Sequence, residues 1–286
     1  MMKKIRKIIL DSMPDNIYLK LRFRQYMRKK LNLKNPQSFN EKLQWLKLYD
    51  RNPFYTTLVD KYAVKKYVAD LIGNKYIIPT FGVWDSFDEI DFDTLPNDFV
   101  LKCTHDSGGV IICRNKSTFN RQEAKEKLSL SLKTNFFKYG REWPYKNVPR
   151  RIIAEKFMQN NLDKDLKDYK FFCFNGKCKI FKIDFDRFTN HGANYYDART
   201  KELLKFGEKV CMPNFEKSLE IPAQIDEMIC LAEKLSRDIS FLRVDFYVVN
   251  NRIYFGELTF YPASGFGEFI PNEWDEKLGD MIRLHD

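Results

Sequence analysis

Histidine is scarce in this chain: His105, His191 and His285 are its only three. They are too few and too dispersed for a histidine-based metal centre. The six cysteines form no CxxC pair, and the Cys173–Cys178 spacing is too loose to make a structural zinc site alone. Reduced, buried thiols are the reading that remains. No apolar run approaches the roughly 18–20 residues that span a bilayer. The opening MMKKIRKIILDSMPD carries only the short run Ile8-Ile9-Leu10, which falls short of a signal peptide, so a cytoplasmic location is expected. There is neither a Walker loop nor a GxGxxG. Internal repeats, low-complexity tracts, flexible linkers and nucleic-acid motifs are also missing, and no nucleic-acid partner is expected.

What is present is a chain of 286 residues, 44% hydrophobic, enough for one large domain or two coupled lobes. Its net charge of +10 is unevenly placed: residues 1–34 hold eleven Lys or Arg against Asp11 and Asp15. The spacing of Ile17, Leu21, Phe23, Met27 and Leu31 predicts an amphipathic helix flanked by Lys20, Arg22, Arg24, Arg28 and Lys29. Such an arm suits an anionic membrane face or a polyanionic substrate. A solvated helix packing its apolar edge on the body is the competing reading.

Ser38-Phe39-Asn40-Glu41 is a capping box that opens a helix to about Tyr49. A second helix is expected over Tyr55–Ile72, ended by Gly73. Strands are expected at Ile77–Trp84, Phe99–Cys103, Val110–Cys113, Ile152–Met158, Tyr169–Asn175 and Lys179–Asp186, with a helix at Arg121–Lys133. Asn175-Gly176 reads as a hairpin turn, and Ile221–Ile239 as an amphipathic helix. This is an α+β pattern with two antiparallel groups and a cleft between them. The expected divisions are a basic helical segment at 1–53, a small lobe at 54–150 and a large lobe at 151–286.

The densest chemistry lies in FLRVDFYVVNNRIYFGELTF, Phe241 to Phe260. Alternation puts Leu242, Val244, Phe246 and Val248 on one face of a first strand and Arg243, Asp245 and Tyr247 on the other. On a second strand Tyr254, Leu258 and Phe260 form the apolar face, with Glu257 and Thr259 opposite. A two-residue turn at Asn250-Asn251 would pair Asp245 with Gly256. A three-residue loop, Asn250-Asn251-Arg252, pairs Asp245 with Glu257 and is the expected register. Two adjacent carboxylates without His or Cys point to a hard cation, Mg2+ shared with phosphate oxygens. Alternatively they pair with Arg243 or a lysine on a solvated face.

Upstream, Lys102 ends a strand before the small-residue loop Ser107-Gly108-Gly109, whose backbone could approach phosphate. A plain hairpin would look the same. In order, Asp60-Lys61, Lys102 with its loop, Glu155-Lys156-Phe157-Met158, Asp168 and Arg243-Val244-Asp245…Glu257 resemble the ATP-grasp superfamily. NPQSFNEKLQWLKLYDRNPFYTTLVDK, DYKFFCFNGK, LRVDFY and YFGELTF further resemble the TupA-like (teichuronopeptide-type) ATP-grasp family of surface-polysaccharide gene clusters. The resemblance implies two antiparallel-sheet lobes sandwiching a nucleotide cleft, ATP and Mg2+ as cofactors, and an acyl-phosphate ligase joining a carboxylate, a uronic acid for instance, to an amine. It further implies Lys61 and Lys102 on the phosphates under a lid of Ser107, Gly108 and Gly109. Glu155, Lys156 and Met158 would hold adenine and Asp168 the ribose. Asp245 and Glu257 would bind Mg2+, with Arg243 on the transferring phosphoryl group. Thr259 stands where many relatives have Asn. Arg187, Ser264 and Gly265 are candidates for gripping a substrate carboxylate. The rival enzyme reading is a glycosyltransferase using Asp184-Phe185-Asp186, and the non-enzymatic one is a polyanion- or membrane-docking module.

Overall fold

The computed structural model describes residues 10–159, 166–186 and 189–285. Helix α1 (Asp15–Met27) leads into α2 (Phe39–Tyr49). At the start of α2 the Ser38 hydroxyl accepts from the Glu41 amide while the Glu41 carboxylate reaches back to the Ser38 N–H, as the capping box predicts. Helix α1 buries part of the expected face, since Phe23 and, past the helix end, Leu31 are buried and Met27 packs against them, but its first turns are rotated. Tyr18, Leu19 and Phe23 are buried, whereas Ile17 and Leu21 remain 48% and 50% exposed. The crevice beneath α1 is polar-tipped: Tyr18 Oη donates to the Tyr139 carbonyl at 2.7 Å, and the Arg141 guanidinium lies over its ring. A phenol fits that site better than an aliphatic chain.

The helix expected over Tyr55–Ile72 is two helices, α3 (Tyr55–Val59) and α4 (Ala63–Ile72). Asp60 breaks it. Its Oδ1 accepts from the amides of Tyr62 and Ala63, capping α4, and its Oδ2 takes Arg151 at 2.6 Å. The break fixes the backbone of Lys61, whose N–H donates to the Thr104 carbonyl. Tyr55, Leu58, Val59, Val64 and Val68 all join the core beneath the larger sheet. Residues 55–68 therefore pack with the large lobe, although they precede the small one.

The small sheet is antiparallel, in the order β1 (Thr80–Trp84), β4 (Ile152–Lys156), β2 (Phe99–Cys103), β3 (Val110–Cys113). Strand β4, expected to open the large lobe, is instead central here. Its Ile152, Ile153 and Ala154 are fully buried, which requires strands on both edges. Helix α5 (Arg121–Lys133) covers one face, with Ala124 and Leu128 in the same core as Phe99, Leu101 and Cys103. The short α6 (Phe137–Gly140) follows.

The large sheet runs β11 (Arg252–Thr259), β10 (Phe241–Val249), β5 (Asp168–Phe174), β6 (Lys177–Phe185), β7 (Gly192–Asp197), β8 (Leu203–Leu204). Asn175 and Gly176 both take positive φ and turn β5 into β6, as predicted. Strand β9 (Gly207–Glu208) pairs with β12 (Phe269–Ile270). Helix α7 (Ile225–Leu235) is shorter than expected, because Pro222 disfavours helix in the residue before it; α8 (Trp274–Asp280) closes the described chain. Phe171, Phe181 and Phe246 pack together on one face of this sheet, and Phe172, Phe174 and Phe241 on the other, where Phe39 of α2 meets Phe174 and Phe241.

One charge is buried completely. Lys47 of α2 donates to the carbonyls of Gly140 and Ser264 at 2.8 Å each, and to Ser264 Oγ and Gln44 Oε1 at 3.1 Å. It ties the N-terminal segment to α6 and to the turn after β11. Burial lowers its pKa to about 7, against the pull of Glu142.

Candidate functional site

Strands β10 and β11 pair Asp245 directly with Glu257, but by a different route from the one expected. The turn is the two-residue one, with Asn250 and Asn251 both left-handed. A β-bulge then sets Gly256 and Glu257 together opposite Asp245. A Cβ on Gly256 would sit 3.0 Å from the Asp245 carbonyl oxygen and 3.1 Å from the Tyr247 ring. The bulge also resets the alternation. Ile253 and Phe255 enter the core, and Tyr254, expected there, instead pairs with Tyr247 on the opposite face.

Arg243 bridges the acids. Its Nε and Nη2 donate to the two oxygens of Asp245 at 2.7 and 2.6 Å, and Nη2 also reaches Glu257 Oε1 and Thr259 Oγ1 at 3.0 Å. Thr259 Oγ1 in turn donates to Glu257 at 3.2 Å. Burial pushes the Asp245 carboxyl up despite Arg243, so the guanidinium is what makes its ionisation tolerable. Glu257 keeps 47% of its side chain exposed. Desolvation would raise it, but Arg243 and Lys61 outweigh that and hold it below the usual carboxylate range. Next along the sheet, Lys170 stands opposite Asp245. It meets Asp168 and Asp184 at 3.0 Å each, with Asp245 at 4.0 Å. Lys182 follows, 3.3 Å from Glu208. The sequence does place Lys170 on the face of Asp168, two residues apart on one strand, but Lys182 and Glu208 carry no motif.

The small sheet presents the complementary charges. Lys102 pairs with Glu155 at 2.6 Å, and Lys65 binds the other oxygen of the same carboxylate. Burial would raise Glu155, yet the two lysines bring it below its ordinary value. With both oxygens taken, its side chain holds Lys102 in place, and the strand releases its backbone only beyond Lys156, at Phe157 and Met158. The Lys61 amino group donates to the Asp106 carbonyl and lies in the field of Glu257. Burial lowers its pKa, with Glu257 and Asp106 opposing. Lys61 thus links the loop of the small sheet to the acids of the large one.

In that loop Ser107 and Gly108 are exposed, and a Cβ on Gly108 would meet nothing within 4 Å. Gly109 is packed at the base of the loop. Its N–H donates to Asp106 Oδ1 at 3.1 Å, and a Cβ there would lie 2.4 Å from Ser131 Oγ and 2.9 Å from Cys103 Sγ. Its smallness serves packing against α5, not the approach of an anion. Asp106 and Tyr145 escaped the sequence reading. Tyr145 feels Glu142, Glu257, Arg243 and Asp106, and burial raises its pKa.

Ser264 and Gly265 are already committed. Lys47 takes the carbonyl and hydroxyl of Ser264, and Gln44 Nε2 donates to the Gly265 carbonyl at 2.6 Å. Arg187 lies outside the described residues. The Asp184–Asp186 pair does not form one ligand face: Asp184 is bound by Lys170, while Asp186 leaves the strand at positive φ and pairs with Lys217. Among the described residues Asp184, His191 and Cys211 bring ligand atoms within 4.8 Å of one another. Lys170 and Lys182 flank that group and supply the positive charge a cation would bring.

A family model described as TupA-like ATP-grasp matches residues 41–283. No curated protein matches the chain. Among solved structures, the D-alanine-D-alanine ligase of Helicobacter pylori gives a TM-score of 0.41 at 16% identity, over 86% of this chain and 70% of that one. The D-alanine–D-alanine ligase of Bacillus anthracis complexed with ATP gives 0.45 at 17% identity, over 79% and 63%. A RimK domain ATP-grasp protein of Sphaerobacter thermophilus gives 0.43 at 12%, over 80% and 69%. The chain spans about two thirds of the length of these proteins.

Proposed function

The chain belongs to the TupA-like ATP-grasp family and is an ATP-grasp ligase; on that premise we propose that it activates a carboxylate, a uronic acid of a surface polysaccharide or its precursor, and joins it to an amino acid or small amine. The observation that carries this reading is the direct pairing of Asp245 with Glu257 under Arg243, facing Lys61.

Lys61 and Lys102 would hold the ATP phosphates, with Ser107 and Gly108 closing over them from the base at Gly109. The backbone of Lys156 to Met158, held by the Glu155 ion triad, would flank adenine, and Asp168 would meet the ribose. The donor set at Asp245 and Glu257 is all oxygen and suits Mg2+. Asp245 has both oxygens on Arg243, so Arg243 must turn away from it toward the transferring phosphoryl group as the metal is held. Bound Mg2+ would supply charge neutralisation of the triphosphate. The substrate carboxylate oxygen attacks the γ-phosphorus, breaking its bond to the bridging oxygen of ADP. The amine nitrogen then attacks the acyl carbon, loses a proton, and expels phosphate. The protein orients the reactants, screens charge and excludes water. None of the described helices is long and apolar enough to cross a membrane. The reading places the enzyme in the cytoplasm, its basic arm touching an anionic membrane face.

The test is ADP release from Mg-ATP with glucuronate and a panel of amino acids. The expected result is metal-dependent turnover that Glu257→Gln lowers by roughly 100-fold or more. Turnover of a nucleotide sugar, lost in Asp184→Asn and kept in Glu257→Gln, would overturn the ligase reading.

A further inference from the structure

A cavity of about 310 Å³ lies between the tip of the 106–108 loop, the last turns of α5 and the segment 136–139. It shares Ser107 and Gly108 with the loop proposed to close over the phosphates, and its other walls have no part in the nucleotide reading. Its position relative to the acids is set by two neighbours. On one side the Asp106 carbonyl accepts the amino group of Lys61, which faces Glu257. On another, the Phe136 ring stands edge-on to Tyr145 at 4.8 Å, and Tyr145 lies in the field of Glu257 and Arg243. The cavity therefore adjoins the end of the cleft where Lys61, Arg243 and Glu257 converge, the end at which a phosphoryl group would be transferred.

Its walls are of two kinds. Tyr139 and Leu130 remain 59% and 69% exposed, and with Phe136 they give flat apolar faces. Between them lie three hydroxyls: Ser107, exposed; Ser131, which donates to Asp106; and Thr134, which donates to the Leu130 carbonyl, the last two keeping lone pairs that can accept from a ligand. Lys127 stands at the rim, spending one hydrogen on the Val110 carbonyl at 2.9 Å. Aromatic faces beside hydroxyl groups match a pyranose ring, which offers C–H bonds on its faces and hydroxyls around its edge. The cation at the rim selects an anionic sugar. Beyond the rim, Tyr139 is tied through its carbonyl to Tyr18 of α1, and Lys138 pairs with Asp11 at 3.2 Å. The mouth thus borders α1 and the residues just before it.

We propose that this cavity is the acceptor subsite, and that it takes the terminal sugar of an anionic glycan. The inference rests on the ligase reading for its role in catalysis, but the binding it asserts can be measured separately.

The probe is tetragalacturonate, titrated by calorimetry into wild type, Tyr139→Ala and Lys127→Glu, each also titrated with Mg-ATP. Both side chains are exposed, and truncating Tyr139 leaves untouched the carbonyl that Tyr18 binds, so both variants should match wild type in thermal midpoint. The expected result is wild-type binding of the tetrasaccharide, weakened at least 10-fold in each variant, with Mg-ATP affinity unchanged. Mg-ATP binding without tetrasaccharide binding, or tetrasaccharide binding equal in all three proteins, overturns the subsite. Tetrasaccharide binding that both variants lose, without Mg-ATP binding in wild type, supports the subsite and instead sinks the ligase reading.

Discussion

At the scale of single residues, Arg243 decides whether the acids can coexist. It gives Asp245 two charge-assisted hydrogen bonds and reaches Glu257 and Thr259 from the same nitrogen. Removing it leaves a carboxylate that is 4% exposed beside a second one. Arg243→Ala should cost on the order of 3 kcal/mol in denaturant unfolding without metal. A cation placed between the acids would replace the lost charge, so Mg2+ should raise the thermal midpoint of Arg243→Ala more than that of wild type. An equal shift in both proteins would mean that the acids do not hold the metal. This residue was legible in the sequence because alternation puts Arg243 and Asp245 on one face of a strand, while Glu257 joins them only through the pairing register. Gly256 shows why the route to that face was not legible. A bulge is a backbone event, signalled only by one small residue, and its placement depends on the Asp245 carbonyl and the Tyr247 ring packed against it. Glu155 was legible as a site residue but not as the partner of Lys65 and Lys102, since that triad joins a helix and two strands.

Among elements, those with strong local signals formed where expected: the capping box of α2, the α5 helix, the β2 and β3 strands and the Asn175-Gly176 turn. Elements set by tertiary context did not. Strand β4 crossed to the small sheet, Asp60 divided one helix into two, and β7, β8, β9 and β12 are too short or too irregular in pattern to read. Helix α1 is the instructive case. Its inward face is chosen by a phenol and a guanidinium, and this leaves Ile17 and Leu21 outside on one helical stripe with Lys20 and Arg24, with Arg28 exposed at the left-handed cap that ends the helix. Among the described residues, none of these three cations has an acidic partner within ion-pair distance. Reversing all three to Glu should therefore leave the thermal midpoint within a few degrees of wild type and abolish sedimentation with vesicles containing anionic phospholipid. Sedimentation unchanged by the triple reversal would show that the exposed stripe is only a solvated helix face.

The whole molecule is two antiparallel sheets carrying opposed charge. The small sheet contributes Lys102, the break between α3 and α4 contributes Lys61, tied to the loop carbonyl of Asp106, and the large sheet contributes Asp245 and Glu257 under Arg243. Two antiparallel sheets are the fold the motif order implies, and the family assignment agrees with that fold. The linear order of motifs was enough to read the two-lobe plan. It could not show that residues 55–68 precede the small lobe yet pack in the core of the large one, because that follows from which apolar faces meet. The central claim is that Mg-ATP binds between the sheets through Glu257. Calorimetric titration of ATP with and without Mg2+ into wild type and Glu257→Gln tests it most directly. The account predicts magnesium-dependent binding in wild type, weakened at least 10-fold in the variant. Binding that is independent of Mg2+, or identical in the two proteins, would contradict it.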